Sequence, residues 1–167
     1  MLKYTAIVII IAISSFAGCH FSSALKTRLV NLKKINFLID EIIILLRYKA
    51  STVYEITACL AKNERFVDFC FLGNITADSS VSFQQNWSIA VKSAPPPNLK
   101  ANDLEILADI GRNLGTSDMD GQLSMLSLQR AELENLISAA EIDCERKSKL
   151  YRSLGVLTGA FISVMLI

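Results

Sequence analysis

Apolar residues fall into distinct patterns along this chain. From Tyr4 to Leu25, 22 residues carry no formal charge, led by Thr5-Ala-Ile-Val-Ile-Ile-Ile-Ala-Ile. About 20 such residues cross a bilayer as a helix. From Leu25 to about Ala50 the apolar positions narrow to a stripe of Leu25, Leu29, Leu32, Ile35 or Asn36, Ile39, Ile42, Ile43 and Leu46, with charges between. This spacing predicts one long helix continuing out of the first segment. Ile42 to Leu46 is apolar on every side and is expected to be its most buried turn. These β-branched residues would also suit a strand, but the flanking helical pattern and the lack of a partner strand favour helix.

Thr52 with Glu55 gives a capping box for a short helix through about Lys62. Glu64 to Leu72 places Phe66, Phe69, Cys70 and Leu72 at near-helical spacing, ended by Gly73-Asn74. Both short helices are expected to fold back on the long one. Residues 74–80 form a polar turn. Ser80 to about Lys92 reads as the next helix, with Val81, Trp87, Ile89, Ala90 and Val91 as its apolar residues. Trp87, the lone tryptophan, is expected in the core rather than at a partner, since an indole buries about 150–250 Å². Pro95, Pro96 and Pro97 make residues 93–98 a stiff spacer, expected to separate two halves.

Beyond the spacer, Asp103 to Gln122 predicts a helix, a sharp stop and the start of a second helix. Asn102 is placed to cap the first, with Glu105 in the capping-box position, and Asp103 and Glu105 set negative charge at its positive end. Leu104, Leu107, Ile110 and Leu114 form its buried stripe, and Gly115 stands where a left-handed C-cap is expected. Gly111 costs about 1 kcal/mol relative to alanine inside a helix, which predicts close approach by another helix. Asp118 or Ser117 caps the helix that follows, from about Met119 through Leu150 into the C-terminal segment. Its heptad seam pairs Leu123, Arg130, Ile137 and Cys144 with Leu126, Leu133, Ala140 and Lys147. Two charged positions in eight favour packing within a bundle over a free-standing coiled coil.

The C-terminal run of 15 residues, 153–167, makes roughly 22 Å of helix, short of a full bilayer core unless the membrane thins or the helix extends through Tyr151. Lys26, Arg28, Lys33 and Lys34 follow the first segment, and Arg146, Lys147, Lys149 and Arg152 precede the last. The positive-inside rule then leaves both termini outside and residues 26–152 in the cytoplasm. The expected fold is all-α: an antiparallel helical bundle, 26–152, between an N-terminal transmembrane anchor, 1–25, and a C-terminal transmembrane segment, 153–167. A cleaved signal is one rival for the N-terminus. Phe16-Ala17-Gly18-Cys19 also approximates a lipoprotein box, which would put the domain outside the cell; the charge bias opposes that. Gly155 and Gly159 form a small-xxx-small motif for membrane helix packing, and Ser14, Ser15, Gly18, Ser22 and Ser23 line one side of the first segment. Pairing of the two anchors, self-association and contact with another subunit are all open partners for these faces, and His20 is expected to face such an interface.

Charge alters the picture only by its distribution. Residues 26–152 hold 16 basic and 16 acidic side chains, yet residues 101–145 hold ten acidic and two basic ones, leaving the membrane-proximal ends basic. The four cysteines lack a Cys-x-x-Cys pair, and Cys59, Cys70 and Cys144 are expected to be reduced, buried thiols. A single histidine, in the first segment, rules out a histidine-based metal site in the rest of the chain. Nucleotide loops, nucleophile elbows and His-Glu-x-x-His helices are missing. Asp118-Met-Asp120-Gly121 lacks the remaining ligands of a calcium loop. The residues thus predict no catalytic, cofactor or metal site, no nucleic acid and no small-molecule substrate. They lead to a membrane-anchored scaffold or interaction protein.

Asp-Leu-Glu-Ile-Leu, then Ile-Gly-Arg-Asn-Leu-Gly-Thr-Ser-Asp, then Gln122 resembles the signature of the stage III sporulation protein AB family of endospore-forming bacteria. The likeness extends through the N-terminal apolar segment, Trp87 and the closing Tyr-Arg-Ser-Leu-Gly-Val-Leu-Thr-Gly at 151–159, more loosely than in the centre. Where many relatives carry proline after the first long helix, this chain has Thr52-Val53. The resemblance implies a structural subunit of a transenvelope complex between mother cell and forespore, sited in the mother-cell membrane around the forespore. It also implies a soluble domain like that of the type II secretion and type IV pilus platform protein, contacting other subunits, a secretion-type ATPase among them. Asp103, Glu105, Gly111, Leu114, Gly115, Asp118 and Gln122 carry over as motif residues, structural or interacting. The alternative function is a membrane-anchored signalling or regulatory adaptor, or a lipoprotein, outside sporulation.

Overall fold

The computed structural model describes residues 2–49, 52–77 and 81–165, without the side chains of 2–11, 15, 49, 152, 155, 156, 159, 160 and 163–165. Five α-helices, α1 (Leu2–Lys49), α2 (Val53–Ala61), α3 (Phe83–Ser93), α4 (Ala101–Asn113) and α5 (Met119–Met165), are joined by loops and by two 3-10 turns, Glu64–Phe66 and Cys70–Asn74. No strand occurs among the described residues, as the periodicity predicts. The chain divides into two compact units, Met1–Leu29 with Ser138–Ile167, and Val30–Ile137. The proline spacer therefore does not separate two halves. It turns the chain so that α4 packs against α3, the most extensive helix pairing described. Asn31 fixes this turn by donating from Nδ2 to the Pro97 carbonyl at 2.8 Å, and Asn98 takes a positive φ of 59°.

The unit spanning 30–137 has an apolar interior. Leu32, Ile35, Leu38, Ile39, Ile42, Leu45 and Leu46 of α1 are buried, as are Ile56 and Leu60 of α2. The turn from Ile42 to Leu46 is not buried all round, because Ile44 points outward while its neighbours face the core. Thr52 caps α2 as its spacing predicts: its hydroxyl accepts from the Glu55 N–H at 3.3 Å, and the Glu55 carboxylate accepts from the Thr52 N–H at 2.9 Å. Such a cap is worth about 1 kcal/mol.

Residues 64–72 do not form an α-helix. The Phe66 N–H donates to Asn63, Phe69 to Phe66 and Leu72 to Phe69, each to the carbonyl three residues back. Three-residue steps bring Phe66, Phe69 and Leu72 together on one side, and all three are buried with Phe71. The rings of Phe66 and Phe69 stack at 6.0 Å, Phe69 meets Phe71 at 5.7 Å, and Phe71 meets Trp87 edge-on at 5.4 Å. Phe83 continues the series, 6.0 Å from Trp87 and 5.3 Å from Tyr54. The tighter turn is the backbone's response to an aromatic core whose members α-helical spacing would splay apart. Phe71 thus takes the core position expected of Cys70, which is exposed. Ser82, rather than Ser80, starts α3, its hydroxyl accepting from the Gln85 N–H at 3.3 Å. Ile89 lies on the outer face of α3, and Phe83 is buried instead.

Burial of the thiols is a further correction: Cys19, Cys59 and Cys70 are exposed and Cys144 is half-buried, all four unpaired. On α2 the core stripe is Ile56, Thr57 and Leu60, which turns Cys59 outward. In α5 the seam survives at Leu126, Leu133 and Ala140, all buried, while Arg130 and Lys147 swing outward to Asp40 and Asp143.

The unit formed by residues 1–29 and 138–167 is built differently. The Ser22 and Ser148 hydroxyls are buried and hydrogen-bonded to each other, and the Phe21 and Tyr151 rings meet at 5.8 Å. One index falls as the other rises, so these segments of α1 and α5 run antiparallel. Among the described residues no helix is long and apolar enough to cross a membrane. The apolar start of the first expected anchor, residues 4–11, and much of the second, with Gly155 and Gly159, lie outside the described side chains.

Candidate functional site

The expected signature folds into one connected piece of structure where α3, α4 and the α4–α5 loop meet. At its centre, Trp87 is fully buried and donates from Nε1 to the Leu107 carbonyl at 2.8 Å. A Cβ at Gly111 would overlap Cγ, Cδ1 and Cδ2 of that indole. Gly111 is therefore the contact point between α4 and α3, which is the close approach its cost inside a helix predicts. The indole satisfies its only donor against α4 backbone and fills the space a side chain would take.

Asp103 is fully buried, and its Oδ2 accepts from the Lys100 N–H at 2.9 Å. This is a correction to the expected start of α4: Lys100, not Asn102, is the N-cap residue, and Asp103 rather than Glu105 reaches back to it. The turn at Pro97-Asn98 ends early enough for the helix to begin at Ala101. One carboxylate turned back onto a free N–H replaces the hydroxyl cap. Glu105 stays on the surface, and Leu104 is only half-buried, with Ile106 taking the inward position beside Leu107 and Ile110.

The stop after α4 is held from both sides by glutamines. Leu114 is buried and its carbonyl accepts from Gln84 Nε2 at 3.0 Å. Gly115 adopts φ +76°, the left-handed conformation expected of it, and its N–H donates to Gln122 Oε1 at 2.9 Å. Gln122 Nε2 in turn donates to the Ser117 carbonyl at 2.8 Å. Asp118 caps α5, with Oδ1 accepting from the Gly121 N–H at 3.3 Å. A Cβ at Gly121 would crowd that oxygen at 2.7 Å, so the glycine keeps the cap open. Gln122 thus fixes the loop, while Gln84, thirty residues before its partner, gave no sequence signal.

Six of the seven motif residues are spent on these internal contacts. The seventh, Glu105, borders a groove of about 580 Å³ between α3 and α4. Val91 and Ala108 form its buried floor, and Lys92, Glu105 and Arg112 its charged rim. Arg112 is paired with Asp109 at 2.6 Å, one turn away on α4. Among the described residues no group of three or more His, Cys, Asp or Glu is placed to hold a metal.

A second surface lies on the unit that contains both ends of the chain. Phe16 and Phe21 on α1 are 75% and 59% exposed, and Leu157 and Phe161 on α5 are 63% and 71% exposed. Ile13, Leu150, Leu154 and Ile162 are outward too. Small and polar groups face inward: Gly18, Ser22 and Ser148 are buried. Measured from the Ser22–Ser148 contact at 1.5 Å per residue, Phe16 and Leu154 lie about 9 Å to one side, and Ile13 and Leu157 about 13 Å. Lys26 lies about 6 Å to the other side and Arg146 about 3 Å. Phe21 and Tyr151 occupy the boundary between the two. Lys147 stands near the cationic side, where the Asp143 carboxylate at 2.7 Å raises its pKa by hydrogen bond and charge.

No curated protein and no solved structure matches the sequence. The family model described as stage III sporulation protein AB matches residues 3–167, nearly the whole chain. With its signature folded as the α4–α5 turn and its Trp87 seated on Gly111, the chain belongs to the stage III sporulation protein AB family, and so to a sporulation-related role.

Proposed function

We propose that this chain is a membrane-anchored structural subunit of the sporulation transenvelope complex between mother cell and forespore. Its ends hold it in the mother-cell membrane and its helical unit, 30–137, is a platform for other subunits, a secretion-type ATPase among them. The observation that carries the membrane part is the layering of the first unit. Cations, then aromatic rings, then outward apolar side chains follow one another along two antiparallel helical segments, in the order of headgroup and hydrocarbon at a bilayer edge. An outward Phe16 or Phe161 is unfavourable in water and ordinary in lipid.

The platform part rests on the opposite character of the second unit. Its signature residues are committed to rigid packing, a property of a scaffold more than of a reaction centre. The α3–α4 groove is the surface offered to a subunit: its floor is apolar, and Lys92, Glu105 and Arg112 supply mixed charge at the rim. No cofactor and no catalysis form part of this function.

Extraction tests the anchor and co-isolation tests the platform. Membranes of sporulating cells are expected to retain the protein through alkaline carbonate, and release into the supernatant would contradict the anchor. Ala108→Trp, which fills the groove floor, is expected to abolish co-isolation of the complex's other subunits while the purified protein keeps its helicity and melting temperature. Undiminished co-isolation would remove the groove from the account. A protein made equally in vegetative growth would instead support the adaptor alternative.

A further inference from the structure

We infer that the boundary between the two chemistries of the end-containing unit is a selective site for anionic lipid headgroups. This deepens the membrane reading above and rests on it. Lys26, Arg146 and Lys149 are exposed and make no ion pair with any described residue. The buried Ser22–Ser148 contact brings their stretches of α1 and α5 together, so the three lie within a band about 7.5 Å deep, with Lys149 at its edge nearest Tyr151. Lys147 joins them, already paired with Asp143. Arg28, about 9 Å from that contact on the side of Lys26, is buried. Glu145 is the sole carboxylate from residue 144 to residue 152.

The band adjoins the Phe21–Tyr151 ring contact, beyond which the large apolar side chains Phe16, Leu154, Leu157 and Phe161 point outward. In the membrane reading the band therefore stands at headgroup depth. Three cations there have no ion-pair partner among the described residues, and a phosphodiester headgroup without a compensating positive charge supplies an anion. Phosphatidylglycerol and cardiolipin have that chemistry; a zwitterionic choline headgroup brings its own cation. Each well-placed lysine or arginine near an anionic leaflet is worth up to about fivefold in association, so three together are enough to bias the lipids in contact with the protein.

The test uses the full chain, reconstituted in mixed bilayers with trace spin-labelled phosphatidylglycerol or spin-labelled phosphatidylcholine. Electron spin resonance gives the motionally restricted fraction of each label. The wild-type protein is expected to restrict phosphatidylglycerol several-fold more than phosphatidylcholine, and the ratio should fall close to unity in K26Q/R146Q/K149Q. The charge-conserving K26R/R146K/K149R should keep the preference, which separates loss of charge from loss of fold. Equal restriction of the two lipids by wild type, or a preference that survives the glutamine variant, would overturn the headgroup site and leave the anchor standing. Absence of any restricted component for either lipid would overturn the membrane reading and this inference with it.

Discussion

The two units bury opposite kinds of side chain, although α1 and α5 contribute to both. In residues 30–137 the interior is Leu32, Ile35, Ile39, Trp87 and a run of phenylalanines. In the unit holding the chain ends, Gly18, Ser22 and Ser148 are inside, while Phe16, Leu157 and Phe161 are outside. Helix propensity is satisfied in both and cannot account for the contrast. Under the membrane-anchored function proposed above, the difference follows from what would surround each unit: water drives apolar groups inward, whereas lipid rewards close approach of small residues and leaves large apolar ones at the periphery. The second unit has its own exceptions, Val30, Phe37 and Ile44, exposed at seven-residue intervals on α1. Phe37 is partly covered there by the Arg65 guanidinium, 5.3 Å from the ring centroid.

Removing the indole should separate the two units most sharply. Trp87→Ala is expected to cost about 3–5 kcal/mol, unfolding residues 30–137 on denaturant titration while membrane retention persists. Gly111→Ala tests the same contact from the other helix. Alanine gains about 1 kcal/mol of helix propensity, but its Cβ overlaps the indole, and overpacking on that scale is expected to win by about 3 kcal/mol. A stabilised Gly111→Ala protein would show that α3 and α4 separate readily. Leu157→Arg probes the other unit: at a cost of about 2.5–3.5 kcal/mol if the side chain sits deep in hydrocarbon, it should release protein on carbonate extraction and leave the melting of residues 30–137 unchanged.

Smaller effects sharpen the picture of the α4–α5 turn. Gln122→Ala removes the acceptor for the Gly115 N–H and is expected to cost about 1 kcal/mol by thermal denaturation. The smallest change should come from Asp68→Asn, which breaks the exposed Lys34–Asp68 ion pair at a cost of about 0–1 kcal/mol, falling with added salt.

What the sequence made legible is what local chemistry decides. Thr52 and Glu55 are three residues apart, so their cap could be read directly. Gly115 announced the left-handed turn, and Gly111 announced a close approach. The identity of the approaching group was not local: Trp87 lies 24 residues earlier, and only the fold brings it over Gly111. The same limit explains residues 64–72, where the pattern predicts an α-helix but the shared aromatic core, closed by Trp87 and Phe83, selects 3-10 turns. The sequence puts Asp103 at a helix start, yet its bond to the Lys100 N–H depends on where the proline turn ends. Gln84 carries no motif at all, and its bond to the Leu114 carbonyl follows from the α3–α4 packing.

Cysteine labelling decides whether residues 30–137 are held on one side of a membrane by both chain ends, as proposed. In growing cells producing variants with a single cysteine, either the exposed Cys70 or Ile167→Cys, a membrane-impermeant maleimide is applied before and after permeabilisation. Cys70 should be protected until the membrane is opened, and the C-terminal cysteine should react at once. Labelling of Cys70 in intact cells would place residues 30–137 on the other side, and protection of both sites would remove the second span.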